Sequence, residues 1–217
     1  MPNQLEAVLF DMDGLLVDTE PLWFETEADV MARLGAPWTE QDQEQLLGGS
    51  MDNTVGYLLA RATRPAPPAD VARWMTEGML RRAAEGRVVV RPGARALLDE
   101  VARAGLPFAL VTGSQRPFTE AVLASTGFRF PVTVTGDDVT RTKPDPEPYL
   151  LAAKLLDADP GQCVALEDSP NGVASATTAG CLVVAVPTLL PVPPAPRRLV
   201  VPSLADVSLA TLRALAA

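Results

Sequence analysis

Apolar positions along the chain fall into short unbroken runs, separated by segments in which they recur every three or four residues. The runs Ala7 to Phe10, Phe108 to Val111, Val132 to Thr135, Val164 to Leu166 and Leu182 to Val186 predict β-strands, because a short continuous apolar run suits a strand covered on both faces. The patterns Gly93 to Ala104, Pro117 to Ser125, Glu147 to Leu156 and Pro170 to Ala179 predict helices, punctuated by Pro92-Gly93, Gly127, Pro131, Pro160 and Gly180. Strand and helix alternate, so the predicted class is α/β, with a Rossmann-like parallel sheet.

Val17 to Arg91 breaks this rhythm. It holds no clear strand but four helical patterns: Leu22 to Leu34, Glu40 to Leu47, Asp52 to Arg61 and Pro68 to Glu85. In the first, Phe24, Ala28, Met31 and Leu34 repeat at helical spacing and give one apolar face. The expected organisation is a discontinuous α/β core, residues 1–16 and 92–217, with an all-helical cap of residues 17–91 inserted after the first strand. The proline-rich stretch Pro187 to Pro202 is expected to be a rigid surface connection.

Composition narrows the chemistry. The 217 residues include 18 Lys and Arg, 27 Asp and Glu, and no histidine, for a net charge of −9. Without imidazole, His-based triads, His zinc sites and a His general base are all excluded. A pI near 4.6, with scattered arginines, argues against a nucleic-acid partner. No window approaches a membrane span, and the start has neither a basic segment nor a long apolar one. Cys163 and Cys181 lack a Cys-x-x-Cys spacing and read as buried thiols in a reducing compartment. The expectation is a cytoplasmic monomer with no membrane partner.

Candidate chemistry collects where the predicted strands end. Asp11 and Asp13 lie at the carboxyl end of the first strand, where open α/β sheets place ligands, and Gly14 permits a close backbone approach. Asp157-Ala158-Asp159 has the same spacing but follows a helix and reads as a polar helix end. Thr112-Gly113-Ser114 offers hydroxyls and free N–H groups suited to phosphate oxygens, or alternatively an N-cap. Glu167 and Asp168 add two carboxylates, or alternatively an acidic helix start. Gathering four carboxylates requires a cation or raised pKa values, and an oxygen-only set suits a hard divalent ion, Mg²⁺ first. Lysine occurs only at Lys143 and Lys154. Arginine fills every other basic position, so Lys143, between Thr142 and Pro144, is a candidate for a required compact ammonium.

The ordered segments FDMDGLLVDTE, VTGS, TKPDPEP and LEDSPNG resemble the haloacid dehalogenase superfamily, in its β-phosphoglucomutase-like and sugar-phosphatase-like subgroup. The resemblance implies a phosphatase acting on a small phosphorylated molecule through an aspartyl-phosphate. Asp11 would be the nucleophile and Asp13 the proton donor and acceptor. Mg²⁺ would be held by Asp11, the Asp13 carbonyl and Asp168, with Glu167 direct or one layer out. Thr112 and Lys143 would orient the phosphoryl group, helped by amides near Gly113 and Ser114. Asp13 sets the chain apart from the dehalogenases, whose halide leaving group needs no proton.

By the same resemblance, the cap supplies substrate contacts at Trp23, Gly48, Gly49, Ser50 and Met51. Trp23 also reads as cap core, and Gly48-Gly49 as a turn. A mutase of this type carries a cap histidine and a basic cap-loop residue. Trp23 and Met51 stand in those places, so water is the expected phosphoryl acceptor, with a phosphosugar mutase as the alternative and a non-catalytic phosphometabolite-binding module as the third reading. Asp138 reads equally as support for the metal site or as an acidic turn.

Overall fold

The computed structural model describes residues 4–46 and 51–217. Six strands form one parallel sheet: β1 (Ala7–Phe10), β4 (Phe108–Val111), β5 (Val132–Val134), β6 (Cys163–Glu167), β7 (Leu182–Ala185) and β8 (Arg198–Val200). Their order is β5-β4-β1-β6-β7-β8, so β1 lies at the centre, paired to β4 on one side and β6 on the other. The chain order reverses at β1. The carboxyl ends there form the crevice in which such sheets bind ligands.

Strand alternation sorts the side chains. Val8, Phe10, Leu110, Val164 and Leu166 face one apolar cluster with α5 (Ala94–Arg103), α6 (Arg116–Thr126) and α9 (Leu209–Ala216). Ala7, Leu9, Ala109, Val111 and Ala165 face the other, with α7 (Glu147–Leu155) and α8 (Pro170–Thr178). With a side-chain period of two, Asp11, just past β1, and Glu167, the last residue of β6, continue the second set toward α7 and α8.

Two-residue strands β2 (Val17–Asp18) and β3 (Val89–Val90) pair antiparallel, Val17 opposite Val90. Between them run α1 (Glu20–Leu34), α2 (Glu40–Glu44), α3 (Met51–Arg61) and α4 (Pro68–Ala84). These helices share their own cluster, with Val30, Met31, Leu34, Leu58, Val71 and Met75 all buried. The later half of α4 departs from it, since Met79 and Ala83 pack with Phe118 and Val122 of α6. Buried Arg82 fixes α4 to α1 by pairing Glu25 at 3.2 Å and Asp29 at 2.7 Å.

Four elements differ from the sequence expectation. Residues 187–202 are more than a surface connection: they include β8, the sixth strand, and Val192 is buried against the sheet. β8 has only three residues, and its short apolar run, Leu199 to Val201, is embedded in the proline-rich stretch. β2 and β3 are too short for any periodicity, and α2 ends at Glu44, before the expected Leu47. Leu47, Gly48, Gly49 and Ser50 lie outside the described residues.

Candidate active site

Asp11 follows β1 directly and is buried, its N–H bonded to the Leu166 carbonyl of β6. Lys143 Nζ donates to Asp11 Oδ1 at 2.6 Å, to the Val111 carbonyl at 2.8 Å and to Glu167 Oε1 at 2.5 Å. Its three protons are thus matched by three acceptors from three strand ends. The neighbouring carboxylates drive the lysine pKa above its ordinary range against the effect of burial. Burial, then the Glu167 charge, raise the Asp11 pKa well above normal, with Lys143 opposing.

Asp13 has a different environment. Its Oδ1 accepts from Thr19 Oγ1 at 2.9 Å, and its Oδ2 accepts from Ser114 Oγ at 2.7 Å and Thr112 Oγ1 at 3.2 Å. Burial raises its pKa, while these hydroxyls oppose the shift. Thr112 and Ser114 therefore do not cap α6, whose N-cap is Gln115. Ser114 N–H instead donates to Thr112 Oγ1 at 3.0 Å, fixing the turn around Gly113.

Glu167 is fully buried and saturated with donors. Oε1 accepts from Lys143 and from the buried Tyr149 hydroxyl at 2.6 Å, and Oε2 from Asp168 N–H at 3.2 Å and Ser169 Oγ at 3.4 Å. Its carboxylate lies flat on Gly172, where an added Cβ would fall 1.9 Å from Oε1. Asp168 is pushed up to about 7 by burial and by Glu167. Its Oδ2 accepts from Thr188 Oγ1 at 2.6 Å. Gly14, at φ +80°, passes so close that a Cβ there would lie 2.0 Å from the same oxygen, so the position demands glycine both for its conformation and for space.

Asp11, Glu167 and Asp168 each bring an oxygen within 4.8 Å of the others. Carboxylates crowded this closely, two of them with raised pKa values, are poised to share a cation. The all-oxygen donor set fits a hard divalent ion.

The sequence-derived core residues Asp11, Asp13, Thr112, Ser114, Lys143, Glu167 and Asp168 thus converge on one crevice. Trp23 sits one turn into α1, partly buried where the two apolar clusters meet, and Met51 begins α3, packed on the helical cluster. Of the two readings of Asp138 the acidic turn holds: its Oδ2 accepts from Thr135 N–H at 2.7 Å and pairs Arg116, which with the Thr135 hydroxyl brings it to about 2, so it shapes a turn and does not support the metal site. Thr19, Tyr149 and Thr188 escaped the sequence reading. Tyr149 carried a signal, falling six residues after Lys143 and directly after the segment TKPDPEP. Thr188 carried none, since nothing local ties a threonine beside Pro187 to an aspartate twenty residues earlier.

A parallel α/β sheet whose central strand ends in two carboxylates, faced by a buried lysine and an acidic cluster able to hold a cation, has the features of a metal-assisted hydrolase. Comparison with known proteins agrees. Residues 5–180 match the haloacid dehalogenase-like hydrolase family. Protein CbbY of Cereibacter sphaeroides is 38% identical over 192 residues, covering 82% of this chain and 84% of that protein. Hexitol phosphatase A of Escherichia coli is 37% identical over 185 residues, covering 83% and 82%. The crystal structure of CbbY from Rhodobacter sphaeroides in complex with phosphate superposes with a TM-score of 0.85 at 33% identity, over 96% of this chain and 99% of that one. The chain belongs to the haloacid dehalogenase-like hydrolases, enzymes that use a divalent metal.

Replacing Thr188 by Val removes the only side-chain donor to Asp168 among the described residues while keeping its shape. Loss of an orienting partner of a metal ligand typically costs about tenfold or more in affinity. Calorimetric titration of the variant with Mg²⁺ is expected to show that loss with the melting temperature little changed. Wild-type affinity would show that the hydroxyl does not orient Asp168.

Proposed function

We propose that the chain is a Mg²⁺-dependent phosphatase that hydrolyses a small phosphate monoester, a sugar or polyol phosphate, through an aspartyl-phosphate on Asp11. One observation carries the reading: the two carboxylates at the end of β1 have opposite surroundings. Asp11 is held by an ammonium and faces the acidic cation site, whereas Asp13 is held by three hydroxyls and biased by burial toward its protonated form. Two carboxylates differentiated in this way suit two roles, nucleophile and proton carrier.

Asp11 attacks phosphorus through the oxygen that Lys143 leaves free. The phosphorus–ester oxygen bond breaks as Asp13 delivers its proton to the departing alkoxide. Asp13, now ionised, takes a proton from a water that attacks the aspartyl-phosphate, and the phosphorus–Asp11 bond breaks to release inorganic phosphate. Lys143 offsets the charge of the phosphoryl oxygens, and Thr112 and Ser114 hold Asp13 in line. Mg²⁺, when bound by Asp11, Asp168 and the Asp13 carbonyl, supplies charge neutralisation and orientation of the phosphoryl group. Glu167, with both oxygens taken up by donors, serves to hold Lys143 and Tyr149 in place.

Residues 17–91 act as a cap whose motion about β2 and β3 opens and closes the crevice. The hexitol phosphatase relative and the phosphate-bound CbbY structure support a phosphorylated small molecule as substrate. Two buried free thiols fit action in the reducing cytoplasm. The test is phosphate release from a panel of sugar and polyol phosphates, with Mg²⁺ or with EDTA. Mg²⁺-dependent stoichiometric phosphate is expected. Conversion of glucose 1-phosphate to an isomer without free phosphate, given a bisphosphate primer, would overturn the choice of water as acceptor.

A further inference from the structure

Tyr149 has no task in the hydrolytic steps, yet it touches both members of the central ion pair. It lies in the first turn of α7 and is fully buried. Its hydroxyl donates to Glu167 Oε1 at 2.6 Å, the same oxygen that accepts from Lys143 Nζ at 2.5 Å. Its ring centroid lies 5.1 Å from that ammonium nitrogen, within the range of a cation–π contact. Burial, then the Glu167 charge, raise the phenol's pKa well above its ordinary value, so the hydroxyl remains a donor.

An ammonium has three protons, and Asp11 Oδ1, the Val111 carbonyl and Glu167 Oε1 take all three. A phosphoryl oxygen can engage Lys143 only when one of these acceptors yields. The Val111 carbonyl is a fixed backbone group, and Asp11 is the attacking residue that the ammonium orients. Glu167 differs, because its Oε1 has a second donor in Tyr149. A buried carboxylate oxygen stripped of its donors would bear a large desolvation penalty. With the tyrosine in place, Oε1 stays bonded after the lysine N–H turns away.

The surroundings keep both partners from following the lysine. Asp168 N–H and Ser169 Oγ, at 3.2 and 3.4 Å, hold the other Glu167 oxygen. The segment leading into α7 is tied at both sides: Ser175 Oγ donates to the Asp145 carbonyl at 2.5 Å, and the Glu147 carboxylate accepts from the N–H groups of Thr140 and Arg141 at 2.8 and 3.0 Å. Tyr149 therefore meets Glu167 from a fixed position.

We propose that Tyr149 is a positioning residue: by keeping Glu167 Oε1 hydrogen-bonded, it lets Lys143 turn one N–H from Glu167 to a phosphoryl oxygen as Asp11 attacks. No proton is transferred; one hydrogen bond is exchanged for another. The proposal rests on the phosphatase reading and gives a task to a side chain that never meets the substrate.

The test is a double-mutant cycle of Tyr149 and Lys143 in the full-length enzyme at saturating Mg²⁺, read as kcat and KM for p-nitrophenyl phosphate. Tyr149→Phe keeps the ring and removes the hydroxyl. It is expected to lower kcat about tenfold, the size of one hydrogen bond to a charged group. KM should change less, because Lys143 counts most as the phosphoryl oxygens gain charge during attack. In the Lys143→Met background Tyr149→Phe is expected to leave kcat unmoved, since no ammonium remains to be released. An equal loss in both backgrounds would make Tyr149 a packing residue and overturn the proposal, as would an unchanged kcat in Tyr149→Phe alone. Should a variant lacking the hydroxyl not fold, 3-fluorotyrosine in a Tyr57→Phe background, where position 149 holds the one remaining tyrosine, carries the cycle. Its stronger O–H donor is expected to change kcat with Lys143 present and not with Lys143→Met; no change, or the same change in both, would overturn the proposal. Wild-type phosphate release alongside any such result leaves the phosphatase reading standing. Absence of Mg²⁺-dependent release by the wild type, from this ester and from sugar phosphates, would overturn that reading and the proposal with it.

Discussion

Asp11→Asn is expected to reduce phosphate release by roughly 10⁴-fold or more, because the variant keeps the shape of the side chain but loses the attacking oxygen. An amide oxygen is a poor nucleophile and cannot give a stable acyl phosphate with this leaving-group chemistry. Binding should survive, since Lys143 keeps its bonds to Val111 and Glu167 and therefore its place. Asp11 is ionised only against burial and the Glu167 charge, so removing its charge relieves repulsion. The predicted signature is thus a turnover defect with substrate affinity held within about tenfold and a melting temperature that does not fall. Rapid-quench phosphate assays and calorimetry on the same preparation check it. Turnover near the wild-type rate would remove Asp11 from the nucleophile's role and place the chemistry elsewhere in the crevice.

The legible and illegible parts of this site divide on a physical line. Asp11, Asp13, Thr112, Glu167 and Asp168 could be read because they lie at the ends of apolar runs, and chain direction alone carries the ends of parallel strands to one edge of the sheet, whereas Lys143 stood out by the rarity of lysine in the chain. The parallel six-strand sheet was readable for the same reason, except for β8, whose three residues include Arg198 and owe their strand form to pairing with β7. What supports the site was not readable. Tyr149 meets Glu167 because α7 packs across β1 and β4, and Thr188 meets Asp168 because the loop after β7 folds back over the strand ends. These are tertiary contacts between residues that no local period connects. For Asp138 the sequence left two equal readings, metal support and acidic turn, and only Arg116 and Thr135, which engage it in the structure, decide for the turn.

Lys143→Met tests whether the ammonium serves structure and chemistry together. The substitution keeps much of the chain's volume and removes three hydrogen bonds, leaving Asp11, Glu167 and the Val111 carbonyl without that donor. Loss of one preorganised charge-stabilising donor typically costs roughly 10²–10³-fold in kcat, so a defect of that size is expected, smaller than that of Asp11→Asn because the nucleophile remains. Arginine should not restore it: the planar guanidinium is larger than the pocket between three strand ends allows. The stability effect has a defined pH signature. Lysine's folded pKa is raised above its unfolded value, so its contribution is fully present below the unfolded value and is lost only as pH climbs through the folded one. Its partners set the lower limit. Asp168 titrates at about 7 and Asp11 is also raised, so acidification discharges the cluster that the ammonium neutralises. The melting-temperature deficit of the variant should therefore be largest at about pH 8 and shrink toward pH 5, and added Mg²⁺ should narrow it at pH 8 by replacing part of the missing positive charge. A deficit equal at both pH values and indifferent to Mg²⁺ would mean that Lys143 contributes packing alone, and the electrostatic role assigned to it would fall.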